Sequence, residues 1–216
     1  MIARIKNSAP LRLCVKYFSP PRARNDYSTH VPILIALASL REIRSVLEFG
    51  CGYYSTLTFL NRSAFPHLER LQSVENDASW AESIKEIAKD DERWALKLID
   101  GEIADSVSHL NLETFDLILI DDSKSSDQRA ATIRAVAACQ PEHPWIVIHD
   151  YEVEEYRSAA RSFEQRYTFR MFNPQTGVAC NKAISEVKSL GPLLKEHSKH
   201  LQPDDVEGWI SAFCRG

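Results

Sequence analysis

Apolar residues recur along this chain at two spacings, and the two spacings alternate. Short runs with the composition of β-strands lie at 44–49, 70–75, 94–99, 115–120 and 145–148, and segments with helical spacing separate them. The run at 115–120 is apolar at nearly every position, which predicts a strand that is buried on both faces. Strands that alternate with helices predict a parallel sheet with helices on both faces.

The predicted helices are bounded by capping residues and proline. The first begins near Ser28 or Thr29 and has Pro32 in its first turn. The third begins at Asn76 or Asp77, since either side chain can cap a helix. The apolar face of this third helix consists of Trp80, Ile84, Ile87 and Ala88. The other helices are predicted at about 55–62, 103–110, 128–139 and 152–165.

The alternation ends near residue 166. Strands are predicted at 167–172 and 177–181, and only four residues separate them. Because so short a connection cannot cross the sheet, the two strands form an antiparallel hairpin. The fold class is therefore α/β, and residues 182–216 are predicted to be helical.

The composition indicates one globular domain. The 216 residues are 44% hydrophobic and 26% charged, and no apolar stretch approaches the ~20 residues of a transmembrane helix. The five cysteines are odd in number and include no CxxC pair, which favours the reducing cytoplasm.

The charge is distributed unevenly. Residues 1–24 contain six basic residues and no acid, whereas the remainder contains 20 basic and 30 acidic residues. We therefore predict a basic N-terminal arm or lid at 1–26 and a domain at 27–216. The arm is also compatible with a transit peptide, or with attraction of an anionic substrate or membrane surface. The acidic remainder argues against a nucleic-acid partner.

Polar side chains follow the predicted strands at the point where each strand ends. Ligands of open α/β sheets bind outside these carboxyl ends, so we expect the site there, although a single acid is also a common helix cap. In strand order, the residues are Glu48, Gly50, Cys51 and Gly52; Glu75 and Asn76; Asp100 and Gly101; Asp121 and Asp122; and His149, Asp150 and Tyr151.

Two of these acids indicate the ligand. Glu75 lies 25 residues after Gly50, where its two oxygens can accept from both hydroxyls of a ribose. The glycine turn exposes backbone at a helix N-terminus, but Ser55 replaces the third glycine of a dinucleotide fingerprint. Glu48, just before the first glycine, repels a pyrophosphate but can hold an ammonium group. A nucleoside with an amino-acid tail is S-adenosylmethionine.

From about residue 27 to 181 the sequence resembles the class I S-adenosylmethionine-dependent methyltransferases. LEFGCGYYS resembles the first motif of that family and SVEND the second, and Asp100 stands where the family places a residue against the adenine amino group. The resemblance implies a Rossmann-like three-layer sandwich with a mostly parallel seven-stranded sheet in the order 3-2-1-4-5-7-6. The cofactor-binding residues implied are Glu48, Gly50, Cys51, Gly52, Ser55, Glu75, Asn76, Asp100, Gly101 and Asp121.

The strand ends LILIDDSK and IVIHDY resemble the metal-dependent catechol-type O-methyltransferases. That resemblance would make Asp121 and Asp150 ligands of Mg²⁺, but Tyr151 replaces the asparagine of the family and removes the third ligand. We therefore favour metal-free chemistry and keep Mg²⁺ as the alternative. In the metal-free reaction His149 is the general base, and Asp121 or Asp150 orients it.

The predicted function is methyl transfer to a small-molecule or glycan acceptor, chiefly at oxygen, by a cytoplasmic protein that is compatible with a homodimer. His30 and Lys124 are further candidates, to close the pocket and to neutralise an anionic acceptor. Two alternatives stay open: a non-catalytic partner subunit that binds S-adenosylmethionine, and an NAD-dependent dehydrogenase.

Overall fold

The computed structural model describes residues 26–88, 91–170 and 173–182. The predicted basic arm, apart from its last residue, and the predicted helical segment after residue 182 lie outside the described residues. The strands are β1 (Ser45–Phe49), β2 (Arg70–Glu75), β3 (Trp94–Leu98), β4 (Leu117–Ile120), β5 (Trp145–His149), β6 (Gln165–Phe169) and β7 (Thr176–Cys180).

Six α-helices lie within the described ranges, of which the first precedes β1 and the others lie between strands. They are α1 (Val31–Leu40), α2 (Ser55–Leu60), α3 (Ala78–Ala88), α4 (Ile103–Ser106), α5 (Ser126–Ala138) and α6 (Glu154–Ala159). Short 3₁₀ turns occur at Asp26–Ser28, Val107–His109, Leu112–Thr114 and Ala160–Ser162. No helix in the described part combines the length and the apolar composition that crossing a bilayer requires.

The seven strands form one sheet in the order β3-β2-β1-β4-β5-β7-β6. The pairs among β1 to β5 are all parallel, and β7 is antiparallel to both β5 and β6. The predicted fold class, strand order and terminal hairpin are therefore confirmed. Phe49 pairs with both Val74 and Ile120, and Ile120 pairs with Ile148. The residues that follow β1, β2, β4 and β5 consequently lie side by side at one edge of the sheet.

The sheet separates two apolar cores, one on each face. Leu117 and Leu119 of β4 pack with α1 on one face, and Ile118 and Ile120 pack with α5 on the other. All four side chains are fully buried, because successive residues of a strand point to opposite faces. This arrangement explains the nearly continuous apolar run from which a central strand was predicted.

The structure corrects two predicted elements. The helix predicted at 152–165 ends at Ala159, and Gln165 already belongs to β6. The 3₁₀ turn at Ala160–Ser162 leads to Phe163, which is buried. The apolar residues of the predicted helix therefore belong to α6 and to the segment that follows it. In α3 the predicted apolar face is only partly correct, since Ala81 and Ile84 are buried but Trp80 and Ile87 are exposed.

Candidate functional site

The turn after β1 contacts the chain that follows β4. Gly50 has a φ of +84°, and a Cβ there would lie 2.5 Å from the carbonyl oxygen of Asp121. The backbone N–H of Gly50 donates to the carbonyl of Val74 at 2.9 Å. Glycine is therefore required at position 50 by the approach of two backbone segments. At Gly52 an added Cβ would meet only the Ser55 hydroxyl, at 3.2 Å, so this part of the turn is the more open one.

Glu48 lies beneath this turn and is completely buried. One of its carboxylate oxygens accepts hydrogen bonds from the hydroxyls of Thr56 at 2.8 Å and Ser73 at 2.5 Å, which join β1 to α2 and β2. Burial raises the pKa of Glu48 to about 7, although the hydroxyls of Ser55, Ser73 and Thr56 act in the opposite direction. The described contacts of Glu48 are thus internal, and its predicted contact with a ligand ammonium stays a prediction.

Glu75 ends β2 beside the same turn. One oxygen of its carboxylate accepts from the backbone N–H groups of Asn76 at 2.7 Å and Asp77 at 2.9 Å. The other accepts from the backbone N–H of Cys51 at 3.2 Å. Three backbone donors therefore fix this carboxylate at the carboxyl edge of the sheet. The indole of Trp80 borders the turn as well, donating to the carbonyl of Cys51 at 2.6 Å.

The end of β3 is the most exposed part of the predicted cofactor side. Asp100 is exposed, and Gly101 has a φ of +109°. The side-chain amide of Asn76 donates to the carbonyl of Gly101 at 2.9 Å, which ties the end of β2 to the end of β3. The predicted residues Glu75, Asn76, Asp100 and Gly101 are therefore neighbours, while their contacts with a nucleoside stay a prediction.

A second group of polar residues follows β4 and β5. Nδ1 of His149 lies 3.2 Å from Oδ1 of Asp121 and 3.6 Å from Oδ1 of Asp150. Burial acts to lower the pKa of His149, but Asp121 and Asp150 outweigh it and raise this pKa above its usual value. Burial likewise acts to raise the pKa of Asp121, but His149 and Arg129 hold it well below its usual range. Of the three predicted catalytic residues, His149 thus lies against both aspartates.

Arg129 of α5 connects the acids of this group, and sequence reasoning missed it. Its guanidinium lies 3.0 Å from Oδ1 of Asp121 and 2.6 Å from Oδ2 of Asp150, and also donates to the carbonyl of Asp122. Asp150 has an uncommon positive φ of 56°, so its backbone adopts a conformation that few non-glycine residues use. The sequence gives one indication of this role: Arg129 lies in a helix that begins shortly after Asp121 and Asp122.

Thr29 and His30, just before α1, complete the group. The hydroxyl of Thr29 lies 2.9 Å from Nε2 of His149. The ring of His30 packs edge-on against that of His149, with 4.7 Å between the ring centroids. Burial, together with the nearby charge of His149, lowers the pKa of His30 to about 3, so this imidazole is neutral. Sequence reasoning placed His30 over the pocket but gave Thr29 no part in it.

The remaining candidates at this edge have different surroundings. Asp122 is buried and accepts from the hydroxyl of Thr132 at 2.6 Å, and burial raises its pKa to about 7. Lys124 is exposed. Tyr151 points into the core, where its ring leaves no space for a side chain at Gly177. Tyr151 is therefore no substitute for the missing third ligand of Mg²⁺.

The pair Asp121 and Asp150 fits Mg²⁺ poorly. Arg129 already forms an ion pair with one oxygen of each carboxylate, and Mg²⁺ requires near-octahedral oxygen coordination. We therefore derive no reaction step through this ion.

The sequence matches no described protein family and no curated protein. The structure does match solved structures. The O-methyltransferase TomG from Streptomyces achromogenes, in complex with S-adenosylmethionine, is 17% identical, with a TM-score of 0.55 over 82% of this chain and 97% of that one. Human methyltransferase-like protein 13, in complex with S-adenosylhomocysteine, is also 17% identical, with a TM-score of 0.55 over 81% of this chain and 94% of that one.

The chain thus has the fold of class I S-adenosylmethionine-dependent methyltransferases. A spermidine synthase in complex with the transition-state analogue AdoDATO is similar to the same extent, being 19% identical with a TM-score of 0.54 over 88% of this chain and 71% of that one. Because one fold serves more than one transfer reaction, the group transferred must be argued from the site.

Proposed function

We propose that this protein transfers a methyl group from S-adenosylmethionine to a small-molecule or glycan acceptor, chiefly at oxygen. The observation that carries the proposal is the carboxylate of Glu75, which three backbone N–H groups hold at the end of β2, next to the turn at residues 50–52. A fixed acid at this edge is suited to the hydroxyls of a ribose, because a carboxylate is an acceptor only.

The residues present fit this cofactor in three respects. A Cβ added at Gly52 would meet only the Ser55 hydroxyl, so there is space for an amino-acid tail to approach the backbone at this residue. Asn76 and Asp100 add polar groups beyond Glu75, towards the base of a nucleoside. The cofactor would supply an electrophilic methyl group, so the protein needs only to bind it, to orient the acceptor and to accept a proton.

The acceptor side is assigned to Asp121, His149 and Asp150. Nδ1 of His149 holds a proton towards Asp121, and Nε2 faces the hydroxyl of Thr29. In this arrangement Nε2 is the atom that takes up the proton of the acceptor, either through the Thr29 hydroxyl or after its displacement. His149→Gln is expected to retain the cofactor and to lose turnover.

The decisive experiment is calorimetry with S-adenosylhomocysteine. Glu75→Gln removes the charge of an acceptor worth about 1.5–3 kcal/mol, so we expect binding to weaken roughly 10- to 150-fold. Glu69→Gln is the matched control, because Glu69 precedes the same strand at the opposite edge and pairs with Arg44 in an exposed position. Its affinity should equal that of the wild type.

Three outcomes separate this proposal from its rivals. Absence of binding, or an unchanged affinity in Glu75→Gln, would overturn it. Binding of NAD in place of S-adenosylhomocysteine would favour the dehydrogenase. Binding of the cofactor without turnover on hydroxyl-bearing acceptors of several classes would favour the non-catalytic partner subunit.

A further inference from the structure

Three potential metal ligands converge between α1, β4 and β5. Nδ1 of His30 lies 3.9 Å from Oδ2 of Asp121, and Nδ1 of His149 lies 3.2 Å from Oδ1 of the same carboxylate. One ligand atom from each of the three residues lies within 4.8 Å of the others. Three atoms at these separations can contact a single ion, whose bonds to nitrogen and oxygen are about 2.0–2.2 Å long.

His30 supplies an independent reason to expect a ligand. Its side chain is 1% exposed, and neither ring nitrogen has a hydrogen-bond partner among the described residues. Buried polar groups are nearly always satisfied, because an unmade hydrogen bond costs free energy. A ligand at the imidazole of His30 would remove this cost.

We propose that His30, Asp121 and His149 bind a divalent transition-metal ion of the zinc class. Two imidazoles with one carboxylate favour such an ion over Mg²⁺, which prefers oxygen. The site differs from the Asp121 and Asp150 pair considered above, because Oδ2 of Asp121 faces His30 while Oδ1 takes the contact with Arg129.

The surrounding residues are those that orient metal ligands. With the ion on Nδ1 of His149, the proton of the ring moves to Nε2, which then donates to the hydroxyl of Thr29, 2.9 Å away. Arg129 holds Asp121 from the other side. Outer contacts of this kind fix the tautomer of a ligand histidine and the orientation of a ligand carboxylate.

Occupancy of this site changes the part that His149 can play. A ring that binds an ion at Nδ1 and carries its proton on Nε2 has no lone pair left, so the bound ion and the general-base role of His149 exclude one another. The proposal does not depend on methyl transfer, since metal binding and cofactor binding are measured separately.

The test uses the full chain after treatment with a chelator. Zn²⁺ binding is followed by calorimetry. Co²⁺ binding is followed by visible absorption, because the spectrum of Co²⁺ bound by nitrogen and oxygen differs from that of Co²⁺ bound by thiolates. We expect one ion per chain. Loss of a residue that only orients a metal ligand weakens binding by at most roughly 100-fold. His30→Asn should weaken Zn²⁺ binding by more than this, and Thr29→Val should weaken it about 10-fold.

A similar cluster at the opposite edge of the sheet provides the control. His143 lies 2.9 Å from Asp116, which also pairs with Arg41, so another histidine, aspartate and arginine meet there. His143→Asn should leave Zn²⁺ binding unchanged. Equal losses in His143→Asn and His30→Asn, or unchanged affinity in His30→Asn, would overturn the proposal.

Two readouts on the wild-type chain keep the proposal testable if His30→Asn does not fold. Nitrogen NMR should show the proton of His149 move from Nδ1 to Nε2 when Zn²⁺ is added. A ring that keeps its proton on Nδ1, or a thiolate-to-cobalt absorption band, would place the ion elsewhere and contradict the proposal.

Discussion

Arg129 connects the two acids of the proposed acceptor side of the candidate site. It is buried and forms ion pairs with both Asp121 and Asp150, whose negative charges follow β4 and β5. Its contacts with the carbonyls of Asp122 and Ser123 also fix the loop that leads into α5. One side chain thus sets both the charge and the shape of this edge.

Arg129→Leu should destabilise the protein strongly. Removing one partner of a buried ion pair leaves an uncompensated charge and typically costs about 3–5 kcal/mol. Because Asp121 and Asp150 are partly exposed, we expect a loss near the lower end of this range. Urea unfolding measures the loss. Arg157→Leu is the control, because its ion pair with Glu154 is exposed and should contribute under about 1 kcal/mol. Equal losses in the two variants would contradict this role of Arg129.

Glu48 should make stability depend on pH. Burial raises its pKa from 4.5 to about 7, so the folded protein binds this proton more tightly than the unfolded chain. The resulting stabilisation is complete below pH 4.5 and is lost as the pH rises through 7. Since Glu48→Gln cannot ionise, its free energy of unfolding should fall less over this range, by about 3 kcal/mol for a pKa that moves from 4.5 to about 7.

Unfolding in urea at several pH values measures this difference. Glu69→Gln, which removes an exposed acid, should keep the pH profile of the wild type. Parallel profiles for wild type and Glu48→Gln would show that the folded protein and the unfolded chain bind this proton equally, which would contradict the raised pKa of Glu48.

The sequence predicted the acids of the site better than their partners. Glu75, Asp121 and Asp150 could be located because each lies at or just after the end of a predicted strand, and parallel strands end at one edge. Thr29 and Arg129 could not be located in this way, because each meets its partner only through the tertiary packing of distant segments. No local sequence pattern indicates these contacts. His149 and Thr29, for example, are 120 positions apart.

Among the elements, the turn after β1 has little freedom to change, because its backbone approaches another backbone segment. Gly50→Ala adds a Cβ within 2.6 Å of the backbone at 121 and 122, at a φ of +84°. We expect a loss of roughly 3 kcal/mol or more, because both backbone strain and steric overlap oppose folding. Thermal unfolding, or the yield of folded protein, measures it.

Gly101→Ala is the matched variant for this turn. Gly101 has a φ of +109°, but no atom lies within 4 Å of its added Cβ, so only the backbone strain of about 1 kcal/mol or slightly more is expected. Similar losses in the two variants would mean that the contact between the turn and the end of β4 is not tight.

The elements themselves were predicted wherever burial leaves a clear pattern. β4 and β5 are buried at every position, and their apolar runs identified them. The boundary between α6 and β6 was placed wrongly, because Phe163 continues the apolar spacing of a helix that has already ended. Periodicity indicates which residues are buried, but it does not determine where one element ends and the next begins.

For the whole molecule, the alternation of strands and helices predicts the sheet but not its order. The order 3-2-1-4-5-7-6 came from resemblance to a family, because a crossover of given length can join several pairs of strands. Only the terminal hairpin could be predicted from the length of a connection alone, because the loop between β6 and β7 is too short to cross the sheet.

Ligand binding should stabilise the whole molecule by an amount that rises with the logarithm of the ratio of free ligand to its dissociation constant. At 100 times its dissociation constant, S-adenosylhomocysteine adds about 2.7 kcal/mol, which corresponds to a rise in unfolding temperature of about 5–10 °C for a chain of this size. Thermal unfolding with and without the ligand measures this rise. An equal rise with NAD, or none with S-adenosylhomocysteine, would contradict the proposed cofactor.

The contact at Gly50 also has a mechanical consequence. The backbone of the turn touches the backbone at Asp121 and Asp122 with no side chain between them, so a displacement of one segment is transmitted directly to the other. Protein interiors are close-packed and yield little to compression. We therefore expect the two halves of the candidate site to shift together, so that a molecule bound at the turn would also displace Asp121.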